Sequence, residues 1–113
     1  MEIQERQVGD VTILDLKGKM TLGEGDEMLK SRIDALMAQG QLKLLINQEE
    51  QPYIDSAGLG EIVRSYSNLI RRGGVLKLLN VNGSVRSLLE ITKLLDSFEV
   101  FTDEAEALRS FAP

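Results

Sequence analysis

The sequence contains no cysteine, no histidine and no tryptophan in its 113 residues. Cysteine and histidine are the usual ligands of zinc and iron–sulfur centres, and histidine is also the most common general base. Their absence makes a Ser-His-acid triad impossible in this chain and fits the cytosol, where disulfides are rare. We therefore expect a protein that holds no metal or cofactor and is not an enzyme.

Long apolar runs are also missing. Runs such as Leu44-Leu45-Ile46 are a few residues long, whereas a membrane-spanning helix needs about 20 apolar residues in succession. The segment Met1–Glu5 has no basic region followed by an apolar stretch, so it does not have the pattern of a secretion signal. These absences predict a cytoplasmic protein with no membrane partner.

Basic residues are too few for a nucleic-acid-binding protein. The 13 Lys and Arg are outnumbered by 18 Asp and Glu, which gives a net charge of -5. Phosphate binding relies on clustered Lys and Arg, so we expect no nucleic-acid partner. The 42% apolar and 27% charged residues are typical of soluble globular proteins. A chain of this length predicts a single domain over residues 1–113.

Turn signals and apolar stretches alternate along the chain. A Gly9-Asp10 turn separates residues 2–8 from residues 11–17, as in a hairpin, and residues 42–47 and 75–80 are typical of strands buried on both faces. Thr21 and Glu24 have the spacing of a capping box, which predicts the start of a first helix. Further helices are predicted near Ser56, Ser84 and Asp103, and a short strand at residues 98–101. The inward residues that the helical spacing predicts are Leu29, Ile33, Leu36 and Met37 in the first helix and Leu59, Ile62, Val63, Tyr66 and Ile70 in the second.

This order predicts an α/β fold, β-β-α-β-α-β-α-β-α, with a mixed sheet of about five strands and about four helices. The opening hairpin supplies an antiparallel edge, and the later strands are parallel because helices connect them.

Two glycine-rich segments come close to known catalytic or nucleotide-binding motifs and fail at their key residues. The stretch Gly18–Gly23 has the glycine spacing of a phosphate-binding loop, but Glu24 stands where that loop needs lysine. Ser56 precedes Gly58 as in a nucleophile elbow, yet Ile54 takes the place of the first glycine. The first match indicates chance, and at Ser56 the lack of histidine excludes a Ser-His-acid triad and leaves Ser-Lys catalysis without support.

The segment Tyr53-Ile54-Asp55-Ser56-Ala57-Gly58-Leu59-Gly60 resembles the signature of the sulfate transporter and anti-sigma factor antagonist (STAS) domain family. The resemblance covers essentially the whole chain, since the element order also agrees with the fold of that family. A lone chain of this size is similar to the free-standing bacterial anti-sigma factor antagonists, in which the motif serine is the usual phosphorylation site.

The resemblance implies a binding function that phosphorylation controls. Unmodified antagonist would bind an anti-sigma factor that is also a serine kinase, release a sigma factor and so regulate transcription. The kinase would then phosphorylate Ser56, and a phosphatase would reverse this. The residues that we expect to contact the partner are Thr21, Asp55, Ser56, Ala57, Gly58, Gly60 and Glu61.

Plainer interpretations of the motif stay open. Ser56 could be an ordinary helix N-cap, and Asp55 could bind only local backbone. Thr21 and Asn47 replace acids that the antagonists often carry, so an unphosphorylated or differently partnered member remains an alternative. Two other functions are a scaffold subunit of a signalling assembly, with homodimers or larger assemblies, and a sensor of nucleotides or small molecules.

Overall fold

A computed structural model of the chain describes residues 1–81 and 83–112. Within these residues, the elements follow the predicted order, with one short 3-10 turn added at Leu95–Ser97. The strands are Glu2–Val8 (β1), Val11–Lys17 (β2), Lys43–Glu50 (β3), Val75–Leu79 (β4) and Val100–Phe101 (β5). The helices are Gly25–Ala38 (α1), Ser56–Arg71 (α2), Gly83–Ile91 (α3) and Glu104–Ser110 (α4).

The strands form one mixed sheet in the order β1-β2-β3-β4-β5. The hairpin pairs β1 and β2 antiparallel, and its turn uses Gly9 at a φ of 61°, a backbone angle that glycine adopts without strain. The pairs β2–β3, β3–β4 and β4–β5 are parallel. The predicted mixed α/β sheet is therefore confirmed, and the chain after each parallel strand leaves from the same edge of the sheet.

Apolar side chains fill both faces of the sheet. The larger cluster packs β-strand residues such as Leu44 and Ile46 against α1, α2 and α3. A smaller cluster on the opposite face joins Ile13 and Leu45 to Ala107 and Phe111 of the C-terminal helix region. Consecutive residues of β3 are thus buried on opposite faces, as the apolar stretch at 42–47 predicts.

Several sequence-based predictions of element detail are wrong, among them the short strand at 98–101, which covers only Val100–Phe101. β3 continues to Glu50 instead of ending at residue 47, because Lys17 pairs with Glu50 beyond the predicted loop boundary. No capping box forms at Thr21 and Glu24, because α1 begins at Gly25 with no side-chain cap bond. In α2, Leu69 is fully buried while Ile70 is 49% exposed, so the apolar face ends one residue earlier than predicted.

No helix in the described ranges is long and apolar enough to cross a membrane.

Candidate functional site

The motif segment forms the tight connection from β3 to α2 at the edge of the sheet where the parallel strands end. Asp55 is the N-cap of α2, with extended backbone angles, and its Oδ1 accepts a hydrogen bond from the Gly58 N–H at 3.0 Å. Ser56 is the first residue of α2 and is exposed. The interpretation of Ser56 as the N-cap is therefore wrong, because Asp55 takes that position and Ser56 is an exposed residue of the first turn.

A second segment, the loop between β2 and α1, lies against this connection. Met20 makes a parallel bridge with Ile54, and its N–H donates to the Tyr53 carbonyl at 3.0 Å. The Asp55 N–H donates in return to the Met20 carbonyl at 3.2 Å. The Leu22 N–H donates to Asp55 Oδ2 at 3.0 Å, so the second carboxylate oxygen of the cap holds the loop.

Gly58 of α2 and Gly25 of α1 allow the first turns of these two helices to pack closely against Met20 of the loop. A Cβ atom at Gly58 would lie 2.9 Å from the Met20 carbonyl oxygen, and one at Gly25 would lie 2.8 Å from the Met20 Cα. Such distances are shorter than van der Waals contact, so a side chain at either position forces the backbone to move. A Cβ at Gly60 would meet nothing within 4 Å. Gly58 is thus a packing residue, while Gly60 leaves open space on the helix surface.

The surroundings of Ser56 carry negative charge. Hydrogen bonds from the N–H groups of Gly58 and then Leu22 lower the pKa of Asp55 below its ordinary value, because they stabilise the ionised carboxylate. Glu49 and Glu50, which end β3 just before the motif, are exposed. A phosphate on Ser56 would therefore add charge of the same sign beside an ionised neighbour.

A shallow cavity of about 350 Å³ lies beside Ser56, between the motif and α3. Its walls include Tyr53, which is 42% exposed, and Ile91, which is 78% exposed. Ser84, in the first turn of α3, lines the cavity, and its hydroxyl donates to the Pro52 carbonyl at 2.5 Å. Ser56 therefore sits at the margin of an exposed apolar surface.

Comparisons with known proteins agree with this geometry. The model of the STAS domain family matches residues 2–107. The chain belongs to the STAS domain family. The anti-sigma-B factor antagonist of Listeria monocytogenes is 30% identical over 110 residues, which cover 94% of this chain and 91% of that protein.

Two solved STAS-like structures show the same fold. A crystal structure from Thermotoga maritima, assigned to the anti-sigma factor antagonists, has a TM-score of 0.89 and 25% identity and covers 96% of this chain and 92% of that one. The Bacillus cell fate determinant SpoIIAA in its phosphorylated form has a TM-score of 0.79 and 21% identity and covers 98% of this chain and 100% of that one.

The STAS fold brings most of the predicted contact residues together. Asp55 and Ala57 are half-buried beside the exposed Ser56 and Gly60, and the half-buried Thr21 joins them because Leu22 is bound to Asp55. Gly58 is buried under Met20. Glu61 is only 8% exposed, with its carboxylate bonded to the Arg64 guanidinium at 3.0 Å and to the Ser65 hydroxyl at 2.7 Å. The side chain of Glu61 is therefore buried and does not belong to the exposed surface around Ser56.

Several residues of this surface do not appear among the sequence-based candidates. Leu22 is 76% exposed on the loop, and Ile91 ends α3 beside the cavity. For Leu22 the sequence offered one signal, an apolar residue between Thr21 and Gly23 in a loop segment where polar residues are usual. Tyr53 lies within the signature, and its 42% exposure depends on how the loop after β3 folds, which the sequence pattern does not record.

Asn47, which departs from the antagonist pattern, lies in a row of polar groups on the sheet face that carries α4. Its amide donates to Asp15 Oδ1 at 2.8 Å and its carbonyl oxygen accepts from Asn80 at 3.1 Å. Arg6 donates to both Asp15 oxygens and lowers the pKa of that carboxyl, with Asn47 adding to the effect. The side-chain amide of Asn47 thus forms hydrogen bonds with both Asp15 and Asn80 on this face of the sheet.

Proposed function

We propose that this STAS protein is an anti-sigma factor antagonist that binds an anti-sigma factor with serine-kinase activity and is switched by phosphorylation of Ser56. The observation that carries the proposal is the position of Ser56. It is the first residue of α2 and is exposed, and the helix is capped by Asp55 and not by the Ser56 hydroxyl. The relatives named as anti-sigma factor antagonists and the phosphorylated form of SpoIIAA support it.

In this proposal the chain acts by binding and not by catalysis, as one domain over residues 1–113 in the cytoplasm. Binding of the unmodified protein to the anti-sigma factor releases a sigma factor, and a phosphatase restores the unmodified state after phosphorylation. The contacts with the partner come from the exposed or half-buried residues Thr21, Ser56, Ala57 and Gly60, and Asp55 lies among them as the N-cap of α2. Gly58 and Glu61 contribute by supporting the first turns of α2 from inside.

The charge of a phosphate is large enough to act as a switch. Phosphorylation adds about -1.5 to -2 charges at neutral pH. Two like unit charges about 6 Å apart at an effective dielectric of about 20 repel each other by about 3 kcal/mol. That energy corresponds to about a hundredfold change in affinity. A partner surface that places an acidic group beside Ser56 would therefore bind about a hundredfold more weakly after phosphorylation, because this repulsion exists only in the complex.

The test begins with capture of the partner. Ser56→Ala, immobilised and exposed to extract of the native cell, should retain a protein with serine-kinase activity, because the variant keeps the docking surface and cannot be phosphorylated. The captured kinase with ATP should then phosphorylate the unmodified chain, and mass spectrometry should place the phosphate on Ser56. Ser67, exposed on the same helix, provides the matched control, and Ser67→Ala should accept phosphate at Ser56 as the unmodified chain does. Phosphate at another residue, or equal labelling of Ser56→Ala, would refute the proposal.

A further inference from the structure

The loop before α1 presents an exposed leucine whose position depends on one carboxylate. Leu22 is 76% exposed, yet its backbone N–H is held by Asp55 Oδ2 at 3.0 Å. Asp55 is at the same time the N-cap of α2 through its other oxygen. One side chain thus fixes the loop relative to the helix turn that carries Ser56.

The other hydrogen bonds of the loop join its base to the motif or its tip to α1. The bridge between Met20 and Ile54 and the backbone bonds to Tyr53 and Asp55 all involve Met20. Asp26 of α1 holds the residues on both sides of Leu22, because its carboxylate accepts from the Gly23 N–H at 2.8 Å and its own N–H donates to the Thr21 carbonyl at 3.4 Å. The bond from Leu22 to Asp55 is the hydrogen bond that joins the tip of the loop to the start of α2, where Ser56 lies.

We propose that Leu22 is an apolar contact of the protein partner and that Asp55 is the positioning residue that holds Leu22 beside Ser56. This inference rests on the proposed function, since it concerns the same docking surface. It assigns Asp55 a task within the chain, because both of its oxygens already accept backbone hydrogen bonds. Leu22, whose side chain is largely in solvent, supplies the apolar area that a partner can bury.

The first measurement needs no partner. Asp55→Asn keeps one acceptor oxygen, and asparagine is as good an N-cap as aspartate. Its NH2 group cannot accept from Leu22, so the cap stays and the loop tip is released. We expect amide hydrogen exchange at Leu22 to become at least about tenfold faster while the Gly58 amide keeps its rate. Asp103→Asn, the matched change at the cap of α4, should leave the Leu22 amide unchanged. An unchanged rate at Leu22 in Asp55→Asn would overturn the proposal.

The second measurement is a double-mutant cycle with the kinase captured on Ser56→Ala. Leu22→Ala and Asp55→Asn should each weaken binding about tenfold, and the double variant should also be about tenfold weaker, because Asp55 acts through Leu22. Ile70→Ala, which truncates an apolar side chain 49% exposed at the other end of α2, should bind normally. A double variant about a hundredfold weaker, or no effect of either single change, would overturn the inference.

Adding Ser56→Asp to these binding measurements distinguishes a failure of this inference from a failure of the proposed function. If Ser56→Asp loses binding while Leu22→Ala and Asp55→Asn bind as the unmodified chain does, the phosphorylation switch stands and the positioning role of Asp55 is wrong. If Ser56→Asp also binds normally, the proposed function itself is wrong.

Discussion

Two helices of this protein start at an aspartate cap, and their surroundings differ. At α2, Asp55 accepts from Gly58 and also from Leu22 on a distant loop. At α4, Asp103 accepts from Glu106 at 3.2 Å. The first residue of α2 is the exposed Ser56, whereas the first residue of α4, Glu104, is paired with Arg6 at 2.6 Å. The α4 start is tied to the sheet, and the α2 start leaves a hydroxyl group available for modification.

The difference teaches that capping chemistry alone does not mark a functional helix start. Both caps satisfy backbone N–H groups that a helix leaves unpaired. What distinguishes α2 is the close approach of a second segment, which the missing side chain at Gly58 permits, together with an unused hydroxyl at the next position after the cap. The following predictions test each part of this comparison, from the largest expected effect to the smallest.

The largest expected effect is on the contact between the α2 start and the loop. Gly58→Ala places a Cβ 2.9 Å from the Met20 carbonyl oxygen, and we expect the free energy of unfolding to fall by about 2–3 kcal/mol, as for overpacked sites. Gly60→Ala is the matched control, because its Cβ meets nothing within 4 Å. It should raise the free energy of unfolding by about 0.5–1 kcal/mol, since alanine is the better helix former. Urea denaturation measures both, and equal effects would contradict the packing role of Gly58.

A smaller effect concerns the polar groups near the α4 start. Arg6 lowers the pKa of Asp15, so the ion pair contributes stability above the ordinary aspartate pKa of about 3.9 and loses it as the pH falls through the lowered pKa. We expect Asp15→Asn to lower the free energy of unfolding by about 1 kcal/mol at neutral pH, because Arg6 is partly exposed.

Below the lowered pKa of Asp15 the protonated carboxyl should behave like the amide, so the stabilities of the variant and the unmodified chain should converge as the pH falls towards that range. Denaturation curves recorded across the acid range measure this convergence. A constant difference down to that range would show that the pair does not account for the effect.

The smallest expected effect is the difference in thermal midpoint between variants of the two N-caps, Asp55 and Asp103. Asn is a good N-cap, so Asp103→Asn should hardly change the thermal midpoint. Asp55→Asn should lower it slightly more, because it also loses the bond from Leu22. Thermal scans of both variants at one protein concentration make the comparison. A larger fall of the thermal midpoint in Asp103→Asn than in Asp55→Asn would contradict the role of Asp55 in joining two segments.

Local signals made most of the fold predictable. The Gly9-Asp10 turn, the apolar spacing of Leu29 and Ile33, and the cap at Asp103 all depend on residues close together in the chain, and the structure confirms them. The end of β3 was not predictable in this way, because Gln48 and Glu50 are polar and their place in the strand depends on pairing with β2.

The candidate site was predictable in its motif and not in its second segment. The signature places Ser56 at the start of α2, and the structure confirms that position. The docking of Met20 onto Ile54 is a contact between residues far apart in sequence, which spacing and periodicity do not record. Leu22 and the second bond of Asp55 follow from that contact, so they appear only when the chain is folded.

The central claim is that a phosphate on Ser56 decides whether the partner can dock. Isothermal titration should compare the kinase captured on Ser56→Ala with the unmodified chain and with the chain phosphorylated on Ser56. We predict that phosphorylation weakens binding by at least about a hundredfold, as expected from the repulsion of one pair of like charges. Equal affinity of the two forms would contradict the account.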